Sequence, residues 1–419
     1  MLNKSLKGLL AMLAGVAMLS LAGCSTPCDA PGRLCAPIGP NTSAPPQPFM
    51  GAGPPRGEPM QSQPQVQAIP AIPPGSPATA APNKLTRIGL MLPLRSEALG
   101  APADAVRAGF MAAYERDPAG FSVNLIETGD GAPEALDAYA VALEQSDIVV
   151  GPLARSAVSA LAASPLVQKP TIALNHPEAR SPALVLPPRM LVMGLSIEDE
   201  ARQVADWAAA ENPGGTAIIV AGSSAWQRRV AASFAQQWKQ LGHDSQTIQL
   251  TDLNGYLSEA ALAQLRAQVD AAPPTLLFTA LDASQVAQVR GVLGTELPCY
   301  AASSVNPGPA AGASITGLDG VRLLDLPWEV QPAHPAVMAY PRWNVSGGTL
   351  DMDRLYALGI DAYRVAREIA LRPGADFRLD GVTGQLEVSF SQGAARLRRI
   401  QPAAVFQAGG VFELVSGVR

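Results

Sequence analysis

Ile88-Gly89-Leu90-Met91-Leu92-Pro93-Leu94 is an apolar run with no polar alternation, closed near its end by a proline. A short run of this kind reads as a strand covered on both faces, which is what a parallel sheet between two helix layers requires. Just downstream, Val106, Phe110, Ala113 and Tyr114 recur at helical spacing and form one apolar side. The stretch therefore reads as strand, loop and amphipathic helix. The alternation continues with a strand at 123–126, a helix at 134–143, a strand at 148–150, a helix at 154–163 and a strand at 170–174. Elements alternating at this spacing predict an α/β fold, a parallel sheet with right-handed crossovers and helices on both faces.

An irregular, proline-broken stretch at 175–188 separates this set from a second. The second set has helices at 197–210, 226–241, 259–269 and 283–293, and strands at 216–220, 247–250, 275–279 and 299–302. Two consecutive doubly wound units result, the first spanning 84–190 and the second 195–320 in round terms. Beyond Gly320 come a short apolar piece at 321–324, a long helix at 354–371 and alternating pieces at 386–390 and 405–414. This last part either returns to the first unit and completes it, the favoured path, or forms a small separate appendage.

Working outward to the N-terminus, Lys4 and Lys7 precede an apolar stretch that ends at Ala22. At about 15 residues it falls short of the ~20 that a permanent membrane span needs, so it reads as a removable signal. Leu21-Ala22-Gly23-Cys24 resembles the lipobox of bacterial lipoprotein precursors. The resemblance implies that residues 1–23 are cut away and that Cys24 carries the lipid, with a diacylglycerol on sulfur and an acyl chain on the new amine. Such an anchor is effectively permanent at ~0.8 kcal/mol per buried methylene. Ser25, standing where an aspartate would hold a lipoprotein back, implies sorting to the outer membrane, facing the periplasm.

Residues 24–83 are rich in Pro, Gly, Ser, Ala and Gln and poor in aromatic and β-branched residues, so they cannot bury enough surface to offset ordering entropy. They are expected to form a tether. At roughly 3 Å per residue, its ~60 residues reach well over ~100 Å at full stretch.

The 419-residue chain is 48% hydrophobic and carries a formal net charge of −5. That balance argues against nucleic-acid binding through a general basic field. Of the four cysteines, Cys24 is assigned to lipid, Cys28 and Cys35 are placed to close a small loop in an oxidising compartment, and Cys299 sits in an apolar run that suits burial.

Chemistry-bearing motifs are scarce. Neither a Walker A motif nor a Gly-x-Gly-x-x-Gly turn is present, which argues against nucleotide chemistry, and no cofactor is expected. His176, His243 and His334 lie far apart without a His or Cys at metal-ligand spacing, so no metal site is expected. Ser223 or Ser303 could be set beside His176 on paper, but neither sits in a Gly-x-Ser-x-Gly elbow. No spacing singles out a carboxylate pair for glycoside cleavage. The residues that end strands are more informative, because ligands of open α/β sheets bind beyond the carboxyl ends of strands. Arg95, Ser96, Gly151, Asn175, Ser223 and Ser303 are thereby expected to face one cleft suited to a polar or anionic small ligand, and Trp328 is either a cleft indole or core. Arg396, Arg398 and Arg399 form a local basic cluster, read as a solvated face or a contact for an acidic surface.

The order of elements resembles the type I periplasmic binding protein fold, two Rossmann-like lobes with parallel sheets. Individual segments resemble the penicillin-binding protein activator family: Ile148-Val149-Val150-Gly151-Pro152-Leu153, Pro170-Thr171-Ile172-Ala173-Leu174-Asn175, Asp325-Leu326-Pro327-Trp328, Leu358-Gly359-Ile360-Asp361-Ala362-Tyr363 and Gly381-Val382-Thr383-Gly384-Gln385-Leu386. That resemblance implies a non-catalytic outer-membrane lipoprotein that stimulates a class A penicillin-binding protein, a peptidoglycan synthase, by contact. In place of the large helical repeat domain of the enteric members, this chain has only the tether. The second expectation is a solute-binding lipoprotein for an amino acid or similar metabolite, and the third is an envelope hydrolase.

Overall fold

The computed structural model describes residues 85–415 except 179–184, 309–310, 312–314, 344–347 and 391–392. All of them belong to one compact unit, Pro77–Arg419. The signal segment, Cys24, Cys28, Cys35 and the tether lie outside the described residues.

The first lobe is built on β1 (Thr86–Leu92), β2 (Phe121–Glu127), β3 (Ile148–Val150), β4 (Thr171–Ala173) and β5 (Met190–Val192), with α1 (Gly100–Arg116), α2 (Ala132–Gln145) and α3 (Arg155–Ala162) between them. The strands pair in parallel in the order β2-β1-β3-β4-β5. Alternate residues of β1 point to opposite layers. Ile88, Leu90 and Leu92 pack with Val106 and Phe110, and Met91 packs with Tyr139 and Val158 on the other side. Two-sided burial is why the run lacks polar residues. β5 has only three residues between Pro188 and Gly194, too short a run to stand out in the sequence.

The second lobe begins with α4 (Ile197–Glu211), β6 (Ala217–Ala221), α5 (Ala225–Gln240) and β7 (Ser245–Gln249). A small hairpin, β8 (Asp252–Leu253) with β9 (Tyr256–Leu257), leads to α6 (Glu259–Ala271), β10 (Leu276–Ala280), α7 (Ala283–Leu293), β11 (Cys299–Ala301) and β12 (Arg322–Leu324). Helix starts are chemically marked. Ser224 and Asp282 each make a reciprocal capping box with a glutamine three residues on, and those glutamines, Gln227 and Gln285, meet in the interior at 2.8 Å. Cys299 is buried in this lobe, and burial pushes its thiol pKa up.

Past β12 the chain re-enters the first lobe through two single-turn helices, α8 (Pro327–Val330) and α9 (Pro335–Met338), and the long α10 (Leu350–Leu371). An antiparallel sheet of β13 (Phe377–Asp380), β14 (Gln385–Ser389) and β15 (Arg396–Ile400) follows, and its Phe377, Leu386 and Val388 extend the first lobe's core. The last two strands, β16 (Ala403–Gln407) and β17 (Val411–Leu414), go elsewhere. β16 pairs antiparallel with β12, so the second sheet runs β17-β16-β12-β11-β10-β6-β7. The expected return to the first lobe is thus corrected for residues past 400, and the second sheet is parallel only from β12 to β7. The physical reason is an open edge: β12 has a free side that parallel crossovers do not fill. Among the described residues the chain passes between the lobes three times, at 193–196, 325–326 and 401–402.

Candidate functional site

A cavity of about 750 Å³ lies between the lobes. The first lobe supplies Arg155 at the start of α3, Asn175 and His176 beyond β4, and Leu350 and Leu355 of α10. The second supplies Trp226 and Arg229 of α5, the α7 cap Asp282, and Ser303 and Ser304 beyond β11. Its walls are therefore loops and helix N-termini at the carboxyl ends of both sheets, where open α/β folds place ligands.

The floor is a network of charged groups. Arg354 on α10, 13% exposed, donates from Nη2 to Asp325 Oδ2 at 2.8 Å and to the Ser303 carbonyl at 3.0 Å, and from Nη1 to Asp351 at 3.0 Å. Asp325, fully buried, also accepts from Asn306 Nδ2 at 2.8 Å and from the Leu326 amide at 2.8 Å. Glu200 on α4 accepts from the Ser303 amide at 3.1 Å and from Gln401 Nε2 at 3.0 Å. Burial and then the nearby Asp325 charge raise the Glu200 carboxyl above the ordinary range. Burial works to lower the Arg354 pKa, but the charge and hydrogen bond of Asp325, with Glu200 and Glu329 behind it, hold the guanidinium above its ordinary value. Glu329, mostly buried beside Asp325, is pushed up to about 8, chiefly by burial.

Of the residues the sequence proposed for one cleft, Asn175 and Ser303 meet there. Asn175 is engaged locally, donating to the Leu153 carbonyl at 3.1 Å and accepting from the His176 amide at 2.9 Å. Arg95 and Ser96 sit on another part of the first lobe's rim, where Arg95 pairs with Glu134 and Ser96 Oγ donates to Asp130 at 2.9 Å. Gly151 is backbone machinery. Its φ of 121° is in a region L side chains avoid, and a Cβ there would fall 2.1 Å from the Met91 carbonyl. Ser223 Oγ donates to Asp252 at 2.6 Å and holds the β8–β9 hairpin rather than lining the cleft. Trp328 is core: it is fully buried, with the Arg342 guanidinium 4.3 Å from its ring centre. Within the basic cluster, Arg398 turns outward to Glu387 on the outer face of β14, whereas Arg399 turns inward and donates to the carbonyls of Met193 at 2.9 Å and Gly194 at 3.1 Å. Burial lowers the Arg399 pKa to about 10 against the pull of Asp361 and Glu200.

Glu200, Arg354 and Arg399 were missed as site residues. A signal existed for the first two: Glu200 leads Val204 and Ala208 on the buried stripe of α4, and Arg354 leads Leu358 on that of α10. A charge in line with an apolar stripe marks a buried partner. His243 stacks on Trp238, and His334 caps α9 through Nδ1. Among the described residues no group of three or more His, Cys, Asp or Glu is placed to hold a metal, and no helix is long and apolar enough to cross a membrane.

Residues 78–401 match the family described as "LppC putative lipoprotein". Among curated proteins, the penicillin-binding protein activator LpoA of Haemophilus ducreyi is 26% identical over 316 residues, 72% of this chain and 50% of that protein. The protein of the same name from Photobacterium profundum is 25% identical over 363 residues, 78% of this chain and 57% of that one. The chain spans about half the length of these relatives. Among solved structures, a chain described as a "putative branched-chain amino acid ABC transporter" from Chromobacterium violaceum is 34% identical, with a TM-score of 0.62, 76% of this chain and 99% of that one covered. The C-domain of LpoA from Haemophilus influenzae, described as a regulator of PBP1A, shares the fold at a TM-score of 0.62 and 24% identity, over 79% of this chain and all of that domain. The architecture is the type I periplasmic binding protein fold. With more than three quarters of its length matched, the chain belongs to the LppC lipoprotein family.

Proposed function

We propose that this protein is a non-catalytic regulator of peptidoglycan synthesis, anchored by lipid on Cys24 to the outer membrane and facing the periplasm. It acts by binding and stimulating a class A penicillin-binding protein. The observation that carries the reading is the similarity to curated relatives that bear the activator name, beside the lipoprotein-family match over 78–401. The cleft floor is consistent with it, because Arg354 and Asp325 are engaged with each other and Glu200 with the Ser303 amide and the Gln401 side chain. The ~60 residues before the folded unit suit an anchor that must reach across a gap. Contact stimulates a synthase only if the regulator binds its active form more tightly than its resting form. The test is reconstitution of the purified protein with the cognate class A synthase. Glycan polymerisation and crosslinking should both rise, and unchanged rates end the reading.

A second reading, a solute-binding lipoprotein for an amino acid or similar metabolite, draws on the 750 Å³ inter-lobe cavity. A ligand of that kind raises stability as RT ln(1 + [L]/Kd), so a metabolite screen by thermal shift separates the two.

A further inference from the structure

Each of the three crossings between the lobes is gripped by a side chain from elsewhere in the fold. At 193–196, Arg399 from β15 holds the Met193 and Gly194 carbonyls at 2.9 and 3.1 Å. At 325–326, Arg354 from α10 holds the Asp325 carboxylate at 2.8 Å. At 401–402, Gln401 is held twice from α4, its Nε2 on Glu200 at 3.0 Å and its amide on Gln203 Oε1 at 3.2 Å.

The grips at 325–326 and 401–402 are joined through Ser303. The Ser303 backbone, in the second lobe, is clasped on both sides: its amide donates to Glu200 and its carbonyl accepts from Arg354. Arg354 stands on a helix packed into the first lobe's core, so the Arg354–Ser303 hydrogen bond spans the cleft floor. Asn306 adds a further second-lobe contact to Asp325. Hinge opening in a two-lobed protein is absorbed by a few backbone dihedrals at such crossings. Here the Asp325 carboxylate is tied to Arg354 of the first lobe, which also holds the Ser303 carbonyl of the second, and Gln401 is tied to Glu200 and Gln203 of α4. Breaking the ties leaves buried charge without a partner, which is far costlier than replacing the whole pair.

We propose that Arg354, Asp325, Ser303, Glu200 and Gln401 form a latch that couples the crossings at 325–326 and 401–402 and fixes the angle between the lobes, with Arg354 as the group that must let go before the cleft can open. The latch is a property of this fold whichever partner or ligand meets it. It also gives such a partner a defined point of leverage.

Hydrogen exchange at single amides of the full chain tests it. The amides of Ser303 and Leu326 donate to Glu200 and Asp325, and that of Gln401 donates to Gln203 of α4, so they report on the cleft floor and on the crossings at 325–326 and 401–402. In the wild-type protein they are expected to exchange through one shared opening, with one common denaturant dependence. Three unrelated dependences overturn the coupling. In the double variant Arg354→Met/Asp325→Asn, which removes the ion pair while keeping a side-chain acceptor for the Leu326 amide, all three are expected to exchange at least tenfold faster while the amides of β1 and β10 keep their protection. Two results sink the latch: wild-type exchange at Ser303 and Gln401 in the folded double variant, or β1 and β10 accelerating by the same factor, which marks Arg354 as ordinary core packing.

Discussion

Gly109 on α1 and Gly359 on α10 stand at one helix crossing, each against the other helix's backbone: a Cβ on Gly109 would fall 1.9 Å from the Tyr356 carbonyl oxygen, and one on Gly359 2.1 Å from that of Val106. Two helices separated by more than 200 residues of sequence are thereby held at backbone contact, with Phe110 and Tyr363 packed edge to face at 5.3 Å beside them. Either glycine changed to alanine forces the helices apart and is expected to cost about 1–3 kcal/mol, read by urea denaturation. Because both methyls push on the same crossing, the double variant should cost less than the sum of the singles. Full additivity would mean that the two sites do not share a displacement.

Asp361 joins two of the family-like segments. Its buried carboxylate accepts from the Val382 amide at 3.1 Å and from the Thr383 amide and hydroxyl at 2.8 and 2.7 Å, tying the turn before β14 to α10. Asp361→Ala strands those donors and is expected to lower stability by roughly 3 kcal/mol, with Asp361→Asn losing less because it keeps one acceptor oxygen. Equal losses for the two variants would show that the hydrogen bonds are not what the aspartate supplies.

Glu329 sets a pH dependence. Burial, then the Asp325 and Asp353 charges, raise its carboxyl from the ordinary 4.5 to about 8, while Arg354 and Arg342 pull the other way. Its contribution to stability is fully present below pH 4.5, where folded and unfolded chains both hold the proton. It is lost progressively as the unfolded chain ionises, until the pH passes about 8. Glu329→Gln removes that loss. The gain in Tm over wild type should be negligible near pH 4, grow to about pH 8 and then level off; a gain independent of pH contradicts the assignment.

The two indoles can be told apart by stability. Trp328 is fully buried in the first lobe's core, whereas Trp226 is half-buried on the cleft wall. Trp328→Ala is expected to cost about 3–5 kcal/mol, and Trp226→Ala less than about 1 kcal/mol. The reverse order in urea denaturation would place the cleft indole wrongly.

Much of the architecture was legible because its signals are local. The two-sided burial of Ile88 to Leu92, the helical stripe of Val106, Phe110 and Ala113, and the caps at Ser224 and Asp282 all depend on neighbours within a turn or a strand. That is enough to establish two doubly wound units and, with the quoted segments, the family. What only the tertiary structure decided lies at long range. β16 and β17 leave the first lobe for the open edge of β12, where its unpaired backbone is met and Ala403 and Phe406 enter the second lobe's core. Asn175 and Ser303 come to one cavity while Arg95, Ser96 and Ser223 turn to carboxylates of their own lobes, because a loop's position after a strand does not say which carboxylate will stand beside it. Arg354, Glu200 and Arg399 become the centre of the molecule for the same reason. A buried charge is defined by its partner, and Asp325 for Arg354, Ser303 for Glu200 and Met193 for Arg399 each lie 29 or more residues away, so a local pattern shows the stripe a charge stands on and not what it meets.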